Sequence, residues 1–220
     1  KTVSLSGSKT YDGGVDLTGS VSLLTGVGSE TLSYSGATAS AKDVTVSNYI
    51  DAITLVDATD GSGGLASNYQ LPSLDALNAA VTINAKTVGL SASRLYDGGV
   101  DLTGLDVSIS TGVGSETLSY SGATVSAKDV TVSNKYIDAI TLVDATDGSG
   151  GLASNYQLPS LDALNAPAEI EPTQLIIQAF DEVKIYGRNA VLDENIFGIR
   201  GLQAEDQVTT VSLQSDGEST

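Results

Sequence analysis

At 220 residues, 40% of them hydrophobic, the chain has the length of one or two domains and enough apolar side chains to bury a core. It contains no Cys, His, Met or Trp, which excludes disulfides, thiolate or histidine metal centres and histidine acid–base catalysis. Its 27 acidic residues against 10 basic ones give a net charge of −17, a field that repels nucleic acid and anionic lipid, keeps a crowded chain soluble and attracts divalent cations.

From Lys1 onward the pattern is β. Val3-Ser4-Leu5-Ser6, Val15-Asp16-Leu17, Val44-Thr45-Val46 and Ile53-Thr54-Leu55 alternate apolar and polar residues, the period of a half-buried strand. Turn chemistry separates them: Asp12-Gly13-Gly14, Ser35-Gly36 and Asp60-Gly61-Ser62-Gly63-Gly64. The best helix candidate is one turn at Ser73–Asn78, with Ser73 as its cap. No run is long and apolar enough to cross a membrane as a helix.

Further along, the chain repeats itself. Tyr49–Ala79 recurs unchanged as Tyr136–Ala166, and Thr25–Asn48 recurs as Thr111–Asn134 with Ala39 replaced by Val125. Single-residue insertions near Leu105–Asp106 and at Lys135 shift the register. An insertion inside a paired strand would turn every later side chain to the wrong face, so Lys135 is expected in a loop or bulge. A period this long is a small domain rather than a solenoid turn. The organisation expected is residues 1–84 as one repeat, 85–171 as a second, and 172–220 as a different, partial domain. The β-like run Ala80–Val88 joins the repeats without a Gly/Ser hinge, which predicts a stiff joint and an elongated rod.

Lys-Thr-Val-x-Leu-x-x-x-(Lys/Arg)-x-Tyr-Asp-Gly, at Lys1–Gly13 and Lys86–Gly98, together with Leu65–Tyr69 and Leu152–Tyr156, resembles the YDG repeat of large exported Gram-negative proteins, including filamentous-haemagglutinin-like adhesins. The resemblance spans both repeats. The tail, through Ala179–Gly187, Gly201-Leu202 with Asp206, and Val211–Gly217, resembles the MBG domain of YGX type from the same proteins, cut short. The motif residues are thus Tyr11, Asp12 and Gly13, Tyr96, Asp97 and Gly98, and Tyr186 and Gly187. The resemblance implies export to the cell surface or secretion, roles in adhesion or biofilm, and no catalytic residues. A piece of a longer exported protein is expected.

Three constellations bear on chemistry. Asp57 and Asp60, copied as Asp144 and Asp147, precede Gly- and Ser-rich tips that could wrap Ca2+ with oxygen ligands. The same residues also make an ordinary polar hairpin tip, and the acids an EF-hand requires are missing. Tyr11-Asp12-Gly13-Gly14 reads either as a glycan platform or as a ring packed beside a tight turn. Lys42-Asp43 and Lys128-Asp129 read as local ion pairs.

The expected fold is all-β, as tandem immunoglobulin-like sandwiches, with β-grasp units as the alternative. The expected function is a non-enzymatic stalk or fibre segment that spaces a distal binding region from the bacterial surface. The alternatives are a repeated glycan- or protein-binding module acting by avidity, and a matrix fibre of neighbouring copies assembled by strand addition.

Overall fold

A computed structural model describes the chain except Val46, Glu182, Lys184, Tyr186 and residues 188–196 and 213–220. The tail-motif Tyr186 therefore lies outside the described residues, as do residues 213–217 of the same motif. The fold is all-β. The first repeat contributes β1 (Ser4–Thr10), β2 (Val21–Leu24), β3 (Ser33–Ala39), β4 (Ile50–Val56) and β5 (Val81–Asn84). Next come β6 (Lys86–Thr87), β7 (Gly89–Leu95), β8 (Asp101–Leu102), β9 (Val107–Ser110), β10 (Ser119–Val125), β11 (Ile137–Val143), β12 (Tyr156–Gln157) and β13 (Ala168–Glu171). The tail adds β14 (Ile176–Ala179) and β15 (Phe197–Arg200). Single 3-10 turns at Ala66–Asn68 and Ala153–Asn155 are the only helical pieces among the described residues. Ser73–Asn78 forms a turn instead of a helix. Its organiser is Asp75, whose Oδ1 accepts from the backbone N–H of Leu77 and Asn78, each at 2.9 Å, in place of a Ser73 cap.

The chain divides into two compact units. One comprises residues 1–90, 109–121 and 141–160, the other residues 91–108, 122–140 and 161–220, so the division runs through the second repeat. In the first unit β1 is central, antiparallel to β2 and parallel to β5, the last strand of its own repeat. β3 and β4 form a hairpin whose register shifts between Ser35 and Thr38, next to Gly36 at φ 60°. Alternation along the strands sends Val3, Leu5, Ala37, Ala39, Ile50, Ile53, Val81 and Ile83 inward, with Leu17 fully buried among them. Each large aliphatic buried this way contributes about 1.5–3 kcal/mol. Small sheets sharing one apolar core fit sandwich-type domains. In the second unit β13 runs parallel to β7 from Ala168↔Ala92 to Glu171↔Leu95, the pairing that β5 makes with β1.

The Lys135 insertion sits in a loop. Asn134 takes up the extra length in the left-handed region at φ 57°. Lys135 then occupies the place of Asn48: its carbonyl accepts from Ala168 N–H as that of Asn48 accepts from Val81 N–H. The buried Lys135 ammonium donates to the carbonyls of Asp129, Val130 and Val132. Ile137 N–H bonds Ala166 O just as Ile50 N–H bonds Ala79 O, so the strand register survives.

Candidate functional site

The recurring motifs are built around one basic side chain each. Lys9 Nζ donates to the carbonyls of Gly14 and Asp16 and pairs with Asp12 at 2.6 Å, while Asp12 Oδ1 accepts from Gly14 N–H. Arg94 does the same in the second repeat, donating to Asp97 at 2.7 Å and to the carbonyls of Asp101 and Gly99. The Lys/Arg of the motif thus closes the turn that follows it. That turn lifts Tyr11 off the end of β1, with Tyr11 N–H bonded to Asn84 O. Asp12 is half-committed to the turn. Burial raises its pKa, but the Lys9 ammonium and the Gly14 N–H outweigh burial and hold it below the ordinary 3.8.

Tyr11 is 1% exposed, its ring turned away from solvent and onto the second repeat. It meets Tyr156 edge to face, with centroids 5.4 Å apart and planes at 79°. Between the two hydroxyls lies the Glu116 carboxylate. Tyr11 donates to Oε1 at 2.8 Å and Tyr156 donates to Oε2 at 2.7 Å. Lys42 Nζ completes the cluster, donating to Glu116 Oε1 at 3.2 Å and to the Tyr11 oxygen at 3.4 Å, and lies 5.9 Å from the Tyr11 ring centroid. Lys42 therefore turns to the other repeat rather than to its neighbour Asp43. Asp43 instead accepts at Oδ1 from Asn155 Nδ2 at 2.7 Å, and Asn155 Oδ1 accepts from Val44 N–H at 2.8 Å. Asn155 is fully buried.

Glu116 is held out by its own turn. Thr111 Oγ1 donates to Glu116 O at 2.7 Å, accepts from Val113 N–H, and Glu116 N–H bonds Val113 O at 3.0 Å. Val113 packs under the Tyr-Asp-Gly turn so closely that a Cβ on Gly13 would lie 2.8 Å from its Cγ1. Gly13 is also at φ 82°, so this position takes glycine for two reasons. Burial pushes the Glu116 pKa up, but the hydroxyls of Tyr156 and Tyr11 and the Lys42 ammonium outweigh it and hold the carboxyl below 4.5. Burial, and after it the Glu116 carboxylate, raises both tyrosines. The two hydroxyls, the carboxylate and the Lys42 ammonium bond one another across the boundary between the first repeat and the second.

The second unit contains a related cluster made with the tail. Tyr96 donates to Asp206 Oδ1 at 3.1 Å, and Lys128 Nζ lies 3.4 Å from the Tyr96 oxygen and 5.8 Å from its ring centroid. Asp206 sits on a turn closed by its N–H to Gln203 O, as Glu116 does with Val113. A Cβ on Gly98 would lie 2.5 Å from Ala204 Cβ. Lys128 also reaches its neighbour Asp129, at 4.0 Å. Gly187 is exposed at φ 81°.

The Asp-Gly loops work locally. Asp60 Oδ2 accepts from Thr31 Oγ1 at 2.6 Å and Oδ1 from Ser62 N–H at 3.0 Å, while Asp57 Oδ1 accepts from Ala66 N–H at 2.7 Å. Asp147 and Asp144 repeat this with Thr117, Ser149 and Ala153. The Thr31 hydroxyl, then Ser62, bring Asp60 down to about 2, and Thr117 and Ser149 do the same for Asp147. Among the described residues no three acidic side chains gather as a metal-binding group.

No protein-family model, curated protein or solved structure matches this chain.

Proposed function

We propose that this chain is a stalk segment of an exported bacterial surface protein, a non-enzymatic spacer whose repeats are fastened in series to hold a distal binding region away from the cell. The observation that carries this reading is the Glu116 carboxylate, which takes hydrogen bonds from Tyr11 and Lys42 of one repeat and Tyr156 of the next. A joint that consumes the conspicuous motif residues of both neighbours is what a spacer requires and what a ligand-binding repeat would leave open. The buried Tyr11 ring is unsuited to stacking on a sugar. Localisation to the surface or the extracellular medium rests on the resemblance of both repeats to the YDG type. Self-association is the second reading, favoured by the exposed Ile176 and Ile177 on β14.

Small-angle X-ray scattering of the chain, in calcium and then in chelator, tests the proposal. A stiff, elongated particle in both supports the spacer. A compact particle overturns it, elongation only in calcium moves the joints' stiffness to the Asp-Gly loops, and growth with concentration favours the fibre.

A further inference from the structure

The second repeat receives the Tyr-Asp-Gly end of the first on a face made by Val113, Glu116, Asn155 and Tyr156. The first repeat carries the same face, as Val27, Glu30, Asn68 and Tyr69, and there it is uncovered. Val27 is 39% exposed where Val113 is 6% exposed, Asn68 is exposed where Asn155 is fully buried, and Tyr69 is half-buried where Tyr156 is buried.

The uncovered face is already in its receiving form. Thr25 Oγ1 donates to Glu30 O at 2.7 Å and Glu30 N–H bonds Val27 O at 3.0 Å, the turn that presents Glu116. Tyr69 donates to Glu30 Oε2 at 2.5 Å, as Tyr156 does to Glu116 Oε2. What differs is Glu30 Oε1. Its counterpart in Glu116 accepts from Tyr11 and Lys42, both contributed by the other repeat.

We propose that this face is a socket for the Tyr-Asp-Gly end of one further repeat of the same type, joined in series through Lys1. The occupant is identified by the filled copy: a tyrosine hydroxyl and a lysine ammonium for Glu30 Oε1, an Asp-Val pair for Asn68, and a glycine turn for Val27. Entry through Lys1 follows from the backbone. Lys86 leads into the second repeat with its Nζ on Gly112 O at 2.8 Å, and β6 pairs with β12 at Tyr156↔Lys86 and Gln157↔Thr87. Lys1 leads in beside Gly26, and Thr2 bridges Gln70 in the same parallel sense. A continuous chain would therefore deliver its preceding unit onto this face. A second copy of the present chain is a poor occupant, because its own Tyr11 and Tyr96 are already engaged.

The inference rests on reading the chain as a serial array, and its test is separate from the scattering test. The chain has no cysteine, so Val27→Cys supplies a single thiol in the socket. The labelling rate of that thiol is measured in the chain itself and in a chain extended before Lys1 by a copy of residues 1–85, with Val113→Cys as the covered reference. The socket predicts fast labelling of the Val27→Cys variant in the original chain and labelling slower by about tenfold or more in the extended one, approaching the Val113→Cys rate. Tyr11→Ala with Lys42→Ala in the added copy should restore fast labelling. Equal rates with and without a folded added copy overturn the proposal. An added copy that stays unfolded by hydrogen exchange counts equally against it, since a socket stabilises what it holds. An elongated particle in which the socket thiol stays reactive would remove the socket and leave the stalk.

Discussion

Glu116 is a half-buried carboxylate with three donors, a balance that makes it sensitive to charge. Its partial desolvation is unfavourable, and the two hydroxyls and the Lys42 ammonium offset that cost. Its lowered pKa fixes the acid side: its contribution is complete above 4.5 and is lost as pH falls through the lowered value. The raised tyrosines fix the other side, contributing fully below pH 10.0 and losing the contribution as pH rises through their raised values. Glu116→Gln keeps the shape but loses the charge, and should lower unfolding stability by about 1–2 kcal/mol at neutral pH. Urea titrations of both proteins across the acid range check this, because the difference should shrink as the native carboxylate protonates. The Tyr-Asp-Gly motif was legible in the sequence as something recurrent. Its partner was not, because Glu116 is 105 residues from Tyr11 and no local pattern reports such a contact. The same blindness assigned Lys42 to Asp43, its neighbour in sequence.

The strands were legible at Val3–Ser6, which leads into β1, and at Ile53–Leu55 in β4. Alternation alone misread Val15-Asp16-Leu17, which makes only a bridge from Asp16 to Thr38, and Val44-Thr45, which lies in the loop between β3 and β4. The strand register through Lys135 followed from the rule that a one-residue slip exposes a core. Turns were less legible, since Ser73-Leu74-Asp75 offers two capping residues and only three-dimensional context selects Asp75. Glycines conceal a similar ambiguity. Gly64 and Gly151 read as loop-tip residues, yet each lies against backbone: a Cβ on Gly64 would overlap the carbonyl of Thr31, and one on Gly151 that of Thr117. That approach lets Ser62 and Asp60 clamp Thr31, tying the loop after β4 to the segment before β3. Gly64→Ala should therefore cost about 2–3 kcal/mol, whereas Ala at Gly61, where nothing lies nearby, meets only the strain of its φ of 80°. Denaturant midpoints of the two variants separate close approach from backbone strain.

Over the whole molecule the charge of −17 opposes compaction, because the acids outnumber the local partners that pin some of them. Raising the salt concentration should raise the Tm of the native chain, since screening acts on exposed carboxylates more than on the buried Glu116 cluster. A calorimetric scan at low and high salt reads this directly, and a fall in Tm would mean that exposed ion pairs dominate. The joint itself has a direction: the end that offers tyrosine and lysine differs from the end that offers glutamate, asparagine and a second tyrosine. Such a heterologous contact joins unlike ends, so each repeat can pass the same contact on to the next. Because both ends are encoded within a single repeat, duplication or loss of one whole repeat in the gene leaves every remaining junction matched. The length of such a protein can change in whole steps without any new interface having to arise.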